Sequence, residues 1–409
     1  MGDPFPHRQK LRVLVLATSY PLSEDDNASV FLQYLYRHLA DQDVEAHVVV
    51  PALGRGGHQI QHGVHVYRFR YFFRPFQRLC YGSGILPNLK QHPALWLLVP
   101  FFLAAFAMAA TRIAFRVRPS VIHGHWFVPT GVIGLIVSKL VRRPFVITAH
   151  GGDAFSMKSR AMRRLKASVC RFADAWTANT ETTARAIVSE VGTKPGRIVP
   201  MGIDSMLFSP AIIDTNTSPV HSKYRLVFIG RLVEKKGVEY LLKALALLPG
   251  AVAGKVELDV IGDGYERERL QKLAAEMKLS GRVNFLGSIN NRQLPQYLQR
   301  ADLFVGPSII DSAGDTEGQG VVFLEAMACK VCVVATAVGG IADVIETEEN
   351  GILVPPADPQ ALAKTIQELL EDDTKRNRLA LNGYRLVQQE YDWTTIARQF
   401  KTLYLELIN

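Results

Sequence analysis

What most constrains this chain is a rhythm of short apolar runs, each followed by a helix-forming stretch. Runs at 11–18, 44–51, 64–70, 121–123, 145–148 and 175–179 read as strands. Between and after them, 30–40, 130–140, 160–173 and 182–191 read as helices. The strands are nearly continuous in Val, Ile and Leu, the pattern of strands buried on both faces. The rhythm breaks at 198–219, a stretch of mixed polarity with Pro200, Pro210 and Pro219, which reads as a linker. It then restarts with strands at 224–229, 255–261, 283–286, 303–307, 331–335 and 351–354. Helices are expected at 237–247, 265–277, 294–301, 359–371 and 375–390, with a last amphipathic one over 394–407.

Strands alternating with helices imply a parallel sheet wrapped by crossovers, here built twice. A length of 409 residues suits two domains. The expected fold is therefore α/β, with two successive doubly wound, Rossmann-like domains. In such sheets ligands bind where strands end. The glycine-rich turns lie at those places: Gly151–Gly152, Gly230–Arg231, Gly262–Asp263–Gly264 and Gly318–Gln319–Gly320.

The net charge of +9 is uneven. Residues 1–200 hold 25 Lys and Arg against 11 Asp and Glu, whereas the remainder holds 22 against 27. Residues 46–152 contain twelve basic residues and no acidic one, which points to a polyanionic surface as partner. Within them, 94–110 is a seventeen-residue run without charge, preceded by YRFRYFFRPFQRLCY at 67–81. Three readings stand: a buried crossover helix, a spanning helix, or peripheral docking on an anionic membrane. The long apolar run favours lipid over nucleic acid. The four cysteines are scattered, which suggests a reducing compartment, and Cys329 and Cys332 lack the companions a metal site needs. The polar, proline-broken start does not read as a secretory signal. The expected location is cytoplasmic, peripheral on the inner face of the cell membrane.

Two stretches carry the chemistry. In GRLVEKKGVEYL, Gly230 turns the chain at a strand end, Arg231 follows, and Lys236 stands before Gly237 at a helix start. Two cations at a helix start form a grip for a diphosphate. In DSAGDTEGQGVVFLEAMACK, a loop with Asp311, Asp315 and Glu317 turns at Gly318, Gln319 and Gly320 into an apolar helix from Val321. Its amides suit an anion or a sugar oxygen. Glu325, one turn in, is a carboxylate among apolar neighbours; it either accepts ligand hydroxyls or pairs with an arginine. Together these residues read as a site that moves a sugar from a nucleotide diphosphate sugar, mainly by stabilising charge on the departing phosphate. A Rossmann oxidoreductase is excluded because the first strand runs into ATSYPLSEDD, with no G-x-G-x-x-G.

The Arg231/Lys236 pair followed by EGQGVVFLEAMA, with Glu317 and Glu325 eight apart, resembles the retaining glycosyltransferases of family 4, which have the GT-B fold. HGHWFVPTG at 123–131, AHGGD at 149–153 and PMGID at 200–204 resemble that family's N-terminal domain and hinge. The resemblance implies two Rossmann-like domains facing across a cleft, with the last helix returning to the first domain. It divides the chain into an acceptor-side domain at 1–205, with a membrane-facing basic and aromatic region near 67–118, a donor domain at 223–390, and the returning helix at 391–409. It implies that Gly230, Arg231, Lys236, Gly262, Glu317, Gly318, Gln319, Gly320, Val321 and Glu325 bind the donor. Arg231 and Lys236 would hold the diphosphate, Glu325 the ribose, and Glu317 the transferred sugar, which His150 also meets. The implied reaction is a hexosyl transfer with retained configuration, independent of metal and of any cofactor. The expected acceptor is a lipid-linked or cell-surface polysaccharide precursor; the alternative is a non-catalytic nucleotide-sugar-binding or scaffold protein. The chain departs from the family pattern at Asn27, Ala28 and Ser29, and at Met201, Cys329, Lys330 and Cys332.

Overall fold

The computed structural model describes residues 10–23, 26, 29–82, 84–155, 159–211 and 223–409. Two units result: Met1–Asn179, Thr183–Val199 and Trp393–Asn409 form one, and Thr180–Thr182 with Pro200–Asp392 the other.

The first unit is built on strands β1 (Leu11–Leu16), β2 (Val44–Pro51), β3 (Gly57–Gln61), β4 (Val64–Phe69), β5 (Val121–His125), β6 (Phe145–Ala149), β7 (Ala175–Ala178) and β8 (Arg197–Ile198). Their order is β3-β4-β2-β1-β5-β6-β7-β8. All neighbours are parallel except the β3–β4 hairpin. The central strands are buried along their length, as their continuous apolar runs require. Strand β3 escaped the sequence reading because GHQIQ is polar and exposed: it is an edge strand, ordered by main-chain pairing with β4 and by His58 stacking on His65 and Tyr67.

The uncharged run forms a helix, Val99–Val117, after the 3-10 turn Pro93–Leu98. One face, with Phe102, Phe106, Ala110 and Ile113, is buried in the unit's core. The other leaves Phe101, Met108 and Phe115 exposed. Pro93–Val117 is long and apolar enough to span a bilayer, but it runs between two strands of one sheet and packs one face on that sheet's core. The crossover reading thus holds for one face, and the other face stays free.

The last helix, Trp393–Ile408, returns to the first unit and packs on the helix Val30–Ala40. It buries Ile396, Phe400, Leu403 and Tyr404, each large apolar side chain stabilising by roughly 1.5–3 kcal/mol. Lys401 Nζ donates to Gln42 O at 2.6 Å, and Arg197 pairs with Glu406 at 2.7 Å.

The second unit has six parallel strands: β9 (Tyr224–Ile229), β10 (Val256–Ile261), β11 (Val283–Gly287), β12 (Leu303–Gly306), β13 (Cys332–Thr336) and β14 (Ile352–Val354). Their order is β11-β10-β9-β12-β13-β14, which puts the unit's first strand in sequence, β9, in the middle. Part of the linker expected over 198–219 is packed. Ile203 and Phe208 are buried in this unit's core, and Ile203 N donates to Tyr391 O at 2.7 Å. These residues belong to the second unit, not to a first domain reaching 205. Residues 212–219, like Asn27 and Ala28, lie outside the described residues.

Candidate active site

The site in the second unit is made by the loops that leave β9, β10, β12 and β13. After β9, Gly230 N donates to Ile261 O and Leu232 N to Asp263 O, both at 2.9 Å, so the β9 and β10 exits run side by side. Gly262, at φ 137°, belongs to this seam: a Cβ there would lie 1.9 Å from Gly230 O. Its lack of a side chain is needed for the approach of those two loops. Gly237 has φ 63°, and a Cβ would meet Pro307 O at 2.0 Å, so the turn before the helix Val238–Leu247 presses on the β12 exit.

That contact sets three consecutive charges against the 311–317 loop. Glu234 accepts from Ser312 N at 3.0 Å and from Ser312 Oγ at 2.8 Å. Lys235 Nζ reaches Asp315 Oδ2 and Thr316 O, each at 3.0 Å. Lys236 Nζ lies 3.0 Å from Glu317 Oε1, its stem running over Gly230. The structure therefore brings Lys236 and Glu317 together as a pair. Burial pushes the Glu317 carboxyl upward, but Lys236, Lys235 and Arg231 outweigh it and hold its pKa below the ordinary value. Arg231 is exposed and, among the described residues, forms no ion pair. The sequence reading missed Glu234 and Lys235. Asp311 is structural: its Oδ1 accepts from Ala313 N and Asp315 N at 2.9 and 2.8 Å.

The main chain at 317–318 is wedged in place. Gly340 N donates to Glu317 O at 3.1 Å, and a Cβ on Gly340 would lie 1.8 Å from Gly318 O. Thr180 Oγ1 donates to the same Gly318 oxygen at 3.1 Å. Gln319 is spent on structure: its Oε1 accepts from Met201 N at 2.7 Å and its Nε2 donates to Met201 O at 3.0 Å. Only the main chain of Gln319 is then free for a ligand. Gly320, at φ 72°, opens the helix Val321–Ala328 without a side-chain cap. Among the described residues the amides of 318–321 donate to no protein acceptor.

Glu325 is partly exposed and, among the described residues, has no ion-pair partner, so the buried Glu–Arg alternative does not hold. Burial pushes its carboxyl up to about 7.

In the first unit His150 follows β6 and is buried. Its main-chain N donates to Asp153 Oδ2 and Phe127 N to Asp153 Oδ1, both at 2.9 Å. Its ring begins a polar chain through the sheet. His150 Nε2 is 3.3 Å from His125 Nδ1, and His125 Nε2 is 2.6 Å from the Tyr36 hydroxyl. Tyr36 is 3.0 Å from His123 Nδ1, which is 2.7 Å from the Tyr404 hydroxyl on the last helix. His123 Nε2 meets Thr148 Oγ1 at 2.7 Å. Burial pushes His150 and His123 down to about 3 and His125 far below its usual range, so the rings are neutral. A neutral ring has one donor and one acceptor. With Tyr36 donating to His125, the proton of His150 sits on Nδ1; reversing Tyr36 reverses the chain. The parts of this chain missed in the sequence were Tyr36 and Tyr404, whose helical spacing marks only a core face. The sulfurs of Cys329 and Cys332 are buried and unpaired.

Comparison with known proteins agrees with this architecture. Residues 28–206 match the profile of Glycosyltransferase Family 4, and residues 213–386 that of Glycosyl transferases group 1. A D-inositol 3-phosphate glycosyltransferase from Xylanimonas cellulosilytica is 30% identical, over 70% of this chain and 72% of its own. One from Salinispora tropica is 28% identical over 99% of this chain and 87% of its own. Among solved structures, HepE from Anabaena in complex with UDP superposes with a TM-score of 0.74 at 24% identity, covering 97% of this chain and 100% of that one. The fold is GT-B. With both halves matched by successive family profiles and a full-length glycosyltransferase relative, the chain belongs to glycosyltransferase family 4.

Proposed function

We propose that this glycosyltransferase moves a hexosyl group from a nucleotide diphosphate sugar to a lipid-linked or cell-surface polysaccharide precursor, with retention and without a metal or cofactor. The observation that carries the reading is the pairing of Lys236 with Glu317 beside the unpaired Arg231, next to free amides and an unpaired Glu325.

Arg231 and Lys236 would take the diphosphate. As the glycosidic bond breaks, negative charge grows on the departing phosphate, and fixed cations stabilise it more than the ground state. Glu325 would accept two ribose hydroxyls, an arrangement that favours its ionised form and opposes the effect of burial. Once Lys236 turns to phosphate, the Glu317 carboxylate is released towards the sugar. His150 keeps the role the resemblance gives it, and its neutral ring acts there by hydrogen bonding, not as a cation. HepE, crystallised with UDP, supports a nucleotide donor.

The acceptor side is supported by the exposed apolar face of Pro93–Val117, where Trp96 and Leu97 are 59% and 76% exposed. Rings at such a face beside arginines suit the headgroup level of an anionic membrane. The relatives' printed names favour a second reading, a soluble inositol phosphate acceptor. The test is product analysis by proton NMR, with chelator, after incubating donor with either acceptor. The donor's own anomeric configuration, kept in the product, and resistance to chelator are expected. An inverted product, or no transfer to either acceptor class, overturns the proposal.

A further inference from the structure

Resting on the reading of an acceptor carried by a lipid, we propose that the first unit holds a phosphate site for that acceptor, formed by Arg55, Arg70 and Arg74. These arginines line a cavity of about 390 Å³ between the approach to β3 and the exit of β4. Arg70 and Arg74 also line an adjoining cavity of about 600 Å³ with Phe72, Phe73 and Pro75. A cationic concavity thus opens directly onto an aromatic one.

Three observations point to a phosphate. Among the described residues, the guanidinium groups of Arg55, Arg70 and Arg74 form no ion pair or hydrogen bond with the protein. Arg68, which completes the lining, donates instead to Tyr81 Oη at 3.0 Å and to Pro21 O at 2.5 Å, and among the described residues it forms no ion pair. Residues 46–152 supply no carboxylate to relieve this repulsion. Like charges gathered without a counter-charge are unfavourable unless an anion joins them, and arginine's fork of donors matches phosphate oxygens. Gly56 lets the main chain pack closely on the β4 exit: a Cβ there would come within 2.7 Å of Arg68 O.

The neighbouring rings select what the phosphate is attached to. Phe72 packs on Phe76 and Phe101, with centroids 6.0 and 5.3 Å apart. Phe73, Phe76 and Phe101 are 75%, 55% and 55% exposed. Trp96 and Leu97, in the 3-10 turn just before the helix that carries Phe101, are exposed as well. Bases could stack on isolated rings, but exposed apolar groups gathered beside a phosphate site suit a hydrocarbon chain. The ligand class is a phosphorylated lipid, its phosphate at the arginines and its chain along the rings.

Calorimetry on the full chain separates the sources with three probes: geranyl phosphate, geraniol and inorganic phosphate. Geranyl phosphate is expected to bind at least about tenfold more tightly than either of the others. Arg55→Gln/Arg70→Gln/Arg74→Gln, all at exposed positions, should weaken it at least about tenfold while leaving the melting temperature and nucleotide-sugar affinity unchanged. Equal binding of geraniol, or an unchanged triple variant, overturns the site. So does tight binding of a single-stranded RNA oligomer that the triple variant loses. Failure of donor binding would instead overturn the proposed function and leave this result standing.

Discussion

Lys236→Met should destabilise the second unit more than its position at a surface turn suggests. The lysine lies 3.0 Å from Glu317, and the two side chains are 16% and 9% exposed. Removing one member of a buried pair leaves the other uncompensated, at about 3–5 kcal/mol. Here Lys235 and Arg231 remain near Glu317, so the cost should fall to the bottom of that range or just below it, about 2–3 kcal/mol. Glu317→Gln leaves a lysine that can turn towards solvent and should cost about 1 kcal/mol. The double variant should cost no more than about 1 kcal/mol, giving a coupling energy of about 2–4 kcal/mol. Denaturant unfolding of the four proteins at pH 7 measures this. The Glu317 pKa is depressed on folding, so its contribution is present above 4.5, its ordinary value, and is lost as pH falls through the folded value. The coupling should therefore fade in acid. Additive single effects at pH 7, or a coupling indifferent to pH, would refute the reasoning.

Glu325 runs the other way. Its pKa is raised from 4.5 to about 7, so the stabilisation is present below 4.5 and is lost as pH rises through about 7. Glu325→Gln should raise ligand-free stability at pH 8 by about 1–2 kcal/mol, discounted for partial exposure, and weaken donor binding; thermal melts from pH 5 to 8 check it. Gly340→Ala would drive a methyl into Gly318 O, 1.8 Å from its Cβ position, and should cost about 2 kcal/mol or more together with donor affinity, read by melts and titration. Tyr36→Phe removes the hydroxyl between His125 and His123 and should cost about 1–3 kcal/mol. It should also lower transfer if the chain orients His150, and Michaelis–Menten kinetics on the variant would show it.

The double α/β rhythm was legible because strands buried on both faces leave continuous apolar runs, as in β1, β9 and β13. The edge strand β3 left no such trace, since its order comes from pairing with β4. Arg231, Lys236, Glu317 and Glu325 were legible through glycine turns that mark strand ends. What the sequence could not show is which charges meet. That Lys236 faces Glu317 while Lys235 takes Asp315 depends on Gly237 pressing against Pro307, a contact seventy residues apart in the chain. Gln319 looked like a donor ligand because it lies between two glycines, yet its side chain closes on Met201, a partner no local pattern announces. The histidine chain was half legible: His125 and His150 stand at strand ends and His123 within β5, but the hydroxyls they meet come from two distant helices.

The claim beneath all of this is that the second unit grips a nucleotide diphosphate sugar through Arg231 and Lys236. Calorimetric titration of the full chain with a panel of such donors tests it directly, alongside Arg231→Ala. The account predicts that at least one donor binds, that the matching nucleoside monophosphate binds far more weakly, and that Arg231→Ala loses about tenfold or more in affinity. Binding of no donor, or an Arg231→Ala variant that binds as the parent does, would contradict it.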